Sequence, residues 1–436
     1  MDRLRMLIEN IVIFVKLEIA HLIYLNTEPK ISEIVYHGFR YFQFFVLQIQ
    51  YSCEEYQRQR IPRTYRRLRQ AILTSFNAWL VIIVLVIYIC SVDNSLWISI
   101  KYLEKIIDCK RLDLLIIAIT ILFCISEWTW FYFFIQIITY KSPIQSIAYK
   151  TLIFDEKQIA TNYRRHLIIY YLLIKIAAYL SGVGVIIGLI ITYVIEIYFI
   201  TKTYFHNQIT LLELLFGIIF FLSYCFQVGI ISFTLLVGTV ASGFILEFLK
   251  IRMKQVYIFL KKDELSKNIS KIKYFENSIQ KEYVEIYSDV ALLDKTVSLA
   301  MFSFETASKI LSITTCVFYS RQIEMTPTNT LAILGMLSAY FIATVIFTRL
   351  TFPPKYNHHY CRLLLNQMAR KSIVKYHNRH INLMIKSNLF IQTMSNNHFG
   401  FHCGQLFFIT KFQVVQLFMM NLPLITLFYK KICMAK

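Results

Sequence analysis

Apolar residues gather in long, nearly uninterrupted stretches along this chain. A helix needs about 20 predominantly apolar residues to cross the hydrocarbon core of a bilayer. The stretches that reach this length lie at 71–90, 113–139, 167–196, 209–249, 297–319, 331–349 and 411–429. The pattern therefore predicts an all-α polytopic membrane protein with seven transmembrane helices.

The fourth stretch is about twice as long as one crossing requires. It fits either two crossings with a turn near Gly229, or one helix that leaves the membrane and stays packed in a cytosolic bundle. The segment that begins at residue 250, "KIRMKQVYIFLKKDELSKNISKIK", is strongly basic, and basic loops stay on the cytoplasmic side. Two crossings would place this segment outside, so we expect a single helix with a cytosolic extension.

The charge distribution indicates the orientation of the chain. With the N-terminus inside, 34 of the 46 Lys and Arg residues fall on the cytoplasmic side, within 1–70, 141–165, 250–295 and 349–386. This asymmetry predicts a cytoplasmic N-terminus and an extracellular C-terminus. We also expect the fourth to seventh helices to extend into the cytosol.

Composition narrows the class of protein further. The chain is 57% hydrophobic and 17% charged, whereas soluble domains contain about a quarter charged residues. The net charge of +20 indicates basic loops beside anionic membrane lipid, not nucleic-acid binding. The N-terminal "MDRLRMLIENIVIFVKLEIAHL" is interrupted by Lys16 and Glu18, which predicts an amphipathic helix and not a signal peptide.

These observations divide the chain into consecutive segments. The predicted segments are 1–70, a cytoplasmic amphipathic and basic region; 71–249, transmembrane helices one to four; 250–296, a basic cytosolic helical connection; 297–349, transmembrane helices five and six; 350–409, a cytosolic helical segment with a loop that returns to the membrane; and 410–436, the last transmembrane helix and tail. We expect 355–396 to pack against the fourth helix and the acidic region of 276–296.

Candidate chemistry is sparse. The clustered histidines are His358, His359, His377, His380, His398 and His402. No Asp or Glu follows Met325, so we interpret these histidines as surface or interfacial and expect neither a metal nor another cofactor. Phosphate-binding loops and hydrolase motifs are missing from the sequence, which argues against an enzyme. Pairing of Cys109 with Cys433 stays an open possibility.

Ionisable residues within the spans are the better lead, since burying them in a membrane is costly. Glu305 and Lys309 are four residues apart, the favourable order for an ion pair within one helix. Glu127 lies deep in the second span, and Glu196 and Glu213 lie near the outer ends of the third and fourth.

Aromatic residues in the outer halves of three spans predict a ligand pocket between helices. The candidates are Tyr193, Phe216, Phe220, Tyr224 and Tyr340. Packing in the core or against lipid is the alternative interpretation of each.

The last apolar stretch, "KFQVVQLFMMNLPLITLFYKK", contains amides and a proline. Gln413, Gln416, Met420 and Pro423 follow helical spacing along one stripe, with Asn421 close to it. Such a stripe suits a wet path or a helix–helix interface better than lipid.

The chain resembles the insect gustatory and odorant receptor superfamily. The resemblance rests on the long connection between the fourth and fifth spans, on "EYVEIYSDVALLDKTVSLAMFSFETASKILSITTCVFY" at 282–319, and on the C-terminal end. There Phe390, Gln392 and Gly404 fall close to the family's Phe-x-x-Gln element and short Gly-containing loop. The family's final motif, Thr-Tyr and then Gln-Phe after five residues, is replaced here by Asn421, Leu422, Phe428 and Tyr429. The chain therefore resembles a divergent gustatory-receptor-like member.

The resemblance implies a taste receptor of the plasma membrane that acts as a ligand-gated, non-selective cation channel. Four subunits, identical or mixed, would meet through cytosolic helices, and each would bind a small molecule on its outer side. The last helix would line the pore with Gln413, Gln416, Met420, Asn421, Pro423, Ile425 and Phe428. Because an aromatic residue, Phe428, replaces the pore-facing Gln, a non-conducting receptor-like protein on the same scaffold is the alternative.

Overall fold

The computed structural model describes residues 65–90, 112–139, 161–206, 209–263, 269–320, 344–372, 379–397 and 399–417, together with positions 143, 146, 147 and 419. The sixth predicted span is described only from residue 344, and the last only over its first residues. The N-terminal region 1–64, Tyr340, Cys109 and Cys433 lie outside the described residues.

Almost every described residue belongs to a helix. The helices are α1 Tyr65–Cys90, α2 Leu112–Ile138, α3 Thr161–Phe205, α4 Leu211–Asp263, α5 Ile269–Ser320, α6 Phe352–Ser372 and α7 Arg379–Asn396. Residues 344–350 are helical before α6, and residues 411–417 begin the last helix. A small antiparallel hairpin joins β1 His402–Cys403 to β2 Phe407–Phe408.

Four of these helices are long and apolar enough to cross a membrane. The segments are Ile72–Cys90, Ile116–Gln136, Asn162–Phe205 and Leu211–Lys261. Many of their large apolar side chains, such as Trp79, Trp128 and Leu180, are exposed on the isolated chain, as expected for helices surrounded by lipid. "Inner" and "outer" below refer to the predicted orientation.

The fourth stretch forms one uninterrupted helix, α4, of 53 residues. At 1.5 Å per residue this helix is about 80 Å long, far more than the roughly 30 Å of a hydrocarbon core. Its start is fixed by a reciprocal cap: Thr210 N–H donates to Glu213 Oε2 at 2.7 Å, and Glu213 N–H donates to Thr210 Oγ1 at 3.3 Å. The predicted single helix is confirmed, and a turn at Gly229 is not formed.

Helices α3 and α4 pack antiparallel along most of their length, and glycines set the closeness of the contact. A β-carbon on Gly182 would lie 3.0 Å from Phe233, one on Gly229 3.3 Å from Leu189, and one on Gly243 3.2 Å from Ile174. Small residues at such interfaces let two membrane helices approach closely. The three contacts also fix which residues of α3 face which residues of α4.

The main hydrophobic core lies at the inner end, where the extension of α4 meets α5, α6 and the hairpin. Tyr360 donates its hydroxyl hydrogen to the Met253 carbonyl, and Tyr283 donates to Asn357 Oδ1 at 2.8 Å. Asn357 Nδ2 donates to the Met394 carbonyl at 3.0 Å. The expected packing of 355–396 is confirmed, and the described helices of this segment are α6 and α7.

The hairpin was not predicted from the sequence. Its turn contains Gly404 at φ +56°, a conformation that favours glycine. The Gly404 N–H donates to the Ser298 carbonyl at 2.8 Å, and a β-carbon here would lie 3.2 Å from Phe302. The turn therefore rests directly on α5.

Candidate functional site

The last helix starts at Thr410, immediately after the hairpin. Thr410 Oγ1 accepts the Gln413 N–H at 3.2 Å, as an N-cap residue does. Val414 is buried against the main core, whereas Gln416, nearly half a turn away, is exposed. The structure thus places Gln416 on the side that faces away from the chain's own core, and Gln413 is half-buried between the two sides.

The rest of the predicted stripe is not part of the described chain. The residues concerned are Met420, Asn421, Pro423, Ile425 and Phe428. The described part of the helix also exposes Phe412, Val415 and Met419. An apolar and amide surface at the start of the last helix, left exposed by the described residues, is available to lipid, to another protein chain or to a water-filled path.

A carboxylate ties the hairpin to α5. His402 donates its backbone N–H to Asp294 Oδ1 at 2.7 Å, and His402 Nδ1 lies 2.8 Å from Asp294 Oδ2. His402 is thus interfacial, in line with its sequence interpretation. Its partner was missed because Asp294 lies 108 residues earlier in the chain, and local spacing carries no signal for that contact.

The neighbouring Cys403 is completely buried. Burial, and then the nearby charge of Glu305, raise the pKa of its thiol to about 12. A thiol this far from ionisation is a poor nucleophile and a poor metal ligand. Within the described residues, no group of three or more His, Cys, Asp and Glu converges on a point that would hold a metal ion.

An ion cluster fastens the inner end of α4 to α5. Arg252 is buried and donates from Nη2 and Nε to Glu282 Oε1 at 2.6 and 3.0 Å, and from Nη1 to Asp289 Oδ2 at 3.1 Å. Asp289 is as deeply buried as Arg252. The acidic residues of 276–296 were noted in the sequence, but Arg252 was not identified there as their shared partner.

A second cluster surrounds Glu247, which is 4% exposed on α4. Its carboxylate lies 2.9 Å from Lys250 Nζ, 3.2 Å from His166 Nε2 and 3.5 Å from Arg349 Nη1. These basic side chains come from the inner parts of α3 and α4 and from the 344–350 segment. The cluster therefore joins three predicted spans at their inner boundary.

Polar side chains also join helices within the membrane. Ser75 on α1 donates to Glu127 on α2, and Thr129 on α2 donates to Ser303 on α5 at 3.0 Å. The predicted intrahelical pair is confirmed, with Lys309 Nζ 3.0 Å from Glu305 Oε1, although the two groups do not adopt hydrogen-bond geometry.

Gln227 and Asn77 add a further link between α4 and α1. Asn77 Nδ2 donates to Gln227 Oε1 at 3.3 Å and to the Ser223 carbonyl at 3.2 Å. Each such bond satisfies a polar group that lipid cannot. We therefore assign these residues to the assembly of the bundle.

Three of the predicted pocket residues form a row on α4. The ring centroids of Phe216 and Phe220 are 6.5 Å apart, and those of Phe220 and Tyr224 are 6.4 Å apart. Tyr224 also meets Phe123 of α2 edge-on at 5.7 Å. Phe220 is buried and Phe216 is exposed, so the row runs from the interior of the bundle towards its surface.

The fourth candidate, Tyr193, lies on α3. It packs against a small cluster formed by Ile200, Ile209 and Phe221. The structure therefore brings Tyr193 to the same outer part of the α3–α4 interface as the aromatic row, but not into ring contact with it. The buried Glu196, one helical turn from Tyr193, was noted in the sequence but not included in the predicted pocket.

The fold defined by these helices is that of an insect olfactory receptor, an all-α polytopic membrane protein. The olfactory receptor OR5 of Machilis hrabei in complex with eugenol superposes with a TM-score of 0.58 at 11% identity, over 86% of this chain and 91% of the receptor. The same receptor in a second structure gives 0.57 at 14% identity, over 84% and 89%. No protein-family model and no curated protein sequence matches the chain. The predicted fold class is confirmed.

Proposed function

We propose that this protein is a chemoreceptor that acts as a ligand-gated, non-selective cation channel subunit of the gustatory-receptor type. The observation that carries the proposal is the shared fold, which covers 86% of this chain and 91% of an olfactory receptor solved with a bound small molecule. The structural neighbours are receptors and not enzymes, so we propose no catalytic role. We also propose that the protein lies in the plasma membrane and takes part in the perception of taste.

The last helix supplies the proposed pore. Val414 fixes one side of this helix to the subunit's own core, while Gln416 on the other side is exposed. In an assembly of four subunits around a central axis, the exposed sides of the four last helices would face one another across that axis. We propose that Gln413 and Gln416 line the path for ions, together with Met420, Asn421, Pro423, Ile425 and Phe428 further along the helix.

The outer part of the α3–α4 interface supplies the proposed ligand site. Aromatic walls and few polar groups are typical of small-molecule pockets, and the row of Phe216, Phe220 and Tyr224 provides such a wall. Tyr193 approaches from α3, and we retain Tyr340 as the contribution of the sixth span. The neighbouring receptor binds eugenol, and we propose a small molecule of similar size here.

The organisation of the chain follows from the same proposal. Residues 71–249 and 297–349 would form the ligand-sensing part in the membrane, and 250–296 with 350–409 the cytosolic part through which subunits meet. Residues 1–70 would lie beside anionic lipid, and 410–436 would form the pore helix. The large inner core shared by α4, α5, α6 and the hairpin supports a rigid cytosolic part of this kind.

A non-conducting receptor on the same scaffold is the second candidate. The observation in its favour is the aromatic Phe428 at the position where the gustatory and odorant receptor pattern has Gln. Restoring the amide with Phe428→Gln separates the two candidates. A ligand-evoked current in both proteins supports the channel, and a current only in the variant supports the non-conducting receptor.

The proposed channel is tested by purifying the full chain in lipid, measuring its mass in solution, and recording currents from cells that express it. We expect an assembly of four subunits and a cation current that appears when ligand is added. A monomer that carries no current in any subunit combination would overturn the proposal.

A further inference from the structure

Glu196 is an acidic residue buried in the outer half of α3. Its exposed fraction is 6%, and among the described residues it forms neither a hydrogen bond nor an ion pair. Burying an ionised carboxylate is costly unless a partner compensates for the lost hydration. Ionisable residues that persist inside a membrane protein at this cost commonly mark a site that binds or moves a charge.

The other buried or half-buried carboxylates of the described spans all have partners. Glu127 accepts a hydrogen bond from Ser75, Glu247 lies beside Lys250, Arg349 and His166, and Glu305 lies beside Lys309. Glu213 caps α4 through Thr210. Among these carboxylates, Glu196 is therefore the one to which the described residues supply neither a hydrogen bond nor an ion pair.

The packing of α3 on α4 defines what surrounds this carboxylate. Tyr193, Glu196 and Ile200 are three and four residues apart, so they share one face of α3. The contact of Leu189 with Gly229 fixes the antiparallel register and brings that face onto the part of α4 that contains Phe221 and Cys225. The Glu196 carboxylate is close enough to Tyr224 and Cys225 for its charge to act on both side chains.

Glu196 thus lies near the Tyr224 end of the aromatic row. Tyr224 belongs to the row that continues through Phe220 to the exposed Phe216, and Phe123 closes the row from α2. The faces of aromatic rings carry negative charge density and attract cations, most strongly where water is excluded. A carboxylate at one end of a row of aromatic rings is an arrangement that can recognise an organic ammonium group attached to an apolar body.

We propose that Glu196 makes the outer site selective for small ligands that carry a protonated amine on an apolar body. The ammonium group pairs with the Glu196 carboxylate, and the apolar body lies along Phe216, Phe220 and Tyr224. The amine supplies a counter-charge that the described residues do not supply, and the aromatic row binds the remainder of the ligand. This inference rests on the proposed ligand-binding function and specifies its ligand class.

The test compares two probes of nearly equal size and shape, 2-phenylethylammonium and 2-phenylethanol. Binding of each to the purified full chain in lipid nanodiscs is measured by calorimetry at neutral pH. We expect the amine to bind at least about tenfold more tightly than the alcohol, since losing one partner of a desolvated charge pair costs more than a tenfold change in affinity. Equal binding of the two probes, or binding of the alcohol alone, would overturn the inference.

Glu196→Gln, which preserves the size of the side chain, should remove the preference and leave the affinity for the alcohol unchanged. The matched control is Glu213→Gln, which removes one negative charge from the outer end of α4 while an amide at this position still supports the Thr210 cap. We expect the control to retain the preference.

If Glu196→Gln does not fold, the comparison of the two probes on the unmodified chain decides whether the site prefers an amine. A preference for the amine that survives Glu196→Gln would contradict the assignment to this residue.

Currents recorded with the same two probes distinguish failure of this inference from failure of the proposed function. Selective amine binding without any current supports the amine site and contradicts the channel. A current evoked by the alcohol and not by the amine supports the channel and overturns the amine site. If neither probe binds, a set of ten primary amines of similar size is tested, and failure of all of them overturns the inference.

Discussion

Asp294 on α5 holds His402 of the hairpin through both oxygens of its carboxylate, one 2.7 Å from the His402 backbone nitrogen and the other 2.8 Å from Nδ1. The hairpin leads directly into Thr410 and the last helix. The position of the last helix is therefore coupled to α5 through one side chain.

Replacing Asp294 with Ala should destabilise the attachment of the hairpin. Two hydrogen bonds to a charged acceptor are lost, each worth about 1.5–3 kcal/mol, so we expect a clear fall in the thermal midpoint of the purified protein. Asp294→Asn keeps one acceptor oxygen and should cost less. A midpoint for Asp294→Ala equal to that of the unmodified protein would contradict the assigned role.

Replacing Arg252 with Met should impair folding severely. The change leaves the buried Asp289 carboxylate without its arginine, and breaking a buried pair in this way costs about 3–5 kcal/mol. The yield of monodisperse protein after size-exclusion chromatography measures the effect. The double variant Arg252→Met with Asp289→Leu removes both charges and should recover much of the yield, and a double variant as poor as the single one would show that the pair is not the cause.

Two glycines offer a matched comparison of backbone requirements. Gly404→Ala forces a β-carbon into a left-handed conformation beside Phe302, which costs about 1–2 kcal/mol in backbone strain. Gly184→Ala on α3 adds a methyl group that has nothing within 4 Å and improves helix propensity. We expect the thermal midpoint to fall for Gly404→Ala and to be unchanged or higher for Gly184→Ala. The reverse order would contradict the described turn.

The Cys403 thiol should be inert while the protein is folded. Because its pKa is raised to about 12, the folded protein keeps this thiol protonated at pH 8.5, where an ordinary thiol is about half ionised. Alkylation by iodoacetamide, followed by mass spectrometry of the Cys403 peptide, should be slow in the native protein and fast in urea. Rapid alkylation of the native protein would contradict the burial of this side chain.

The raised pKa of the Cys403 thiol also makes the free energy of unfolding depend on pH in a defined direction. The folded state binds the thiol proton more tightly than the unfolded state, so the stabilising contribution of the neutral thiol is complete below the unfolded pKa. It is lost progressively as the pH rises from that value towards 12. Cys403→Ala should therefore be less sensitive to high pH than the unmodified protein.

Patterns within one helix were predictable from the sequence. The single long α4 followed from the basic residues after position 250, and the pairing of Glu305 with Lys309 followed from their spacing. Both inferences use only neighbours along the chain, where helix geometry fixes the distances.

Contacts between distant segments were not predictable in this way. Arg349 lies 102 residues from Glu247, and Asp294 lies 108 residues from His402. The hairpin at 402–408 has strands of two residues each, too short for an alternating pattern to identify. The lack of a partner for Glu196 among the described residues emerges only when α3 is packed on α4, since spacing in the sequence does not reveal which polar groups meet.

The central claim, that the last helix lines an ion path, is tested most directly by cysteine accessibility. Gln416→Cys and Val415→Cys are expressed separately, and ligand-evoked currents are recorded before and after a positively charged methanethiosulfonate reagent. Val415 is the matched control, because it is also exposed but lies about 100° around the helix from Gln416. The unmodified chain shows whether the reagent acts on native cysteines. We expect the reagent to block the current of Gln416→Cys and to leave the currents of Val415→Cys and the unmodified chain unchanged. A current through Gln416→Cys that the reagent does not alter would contradict the central claim.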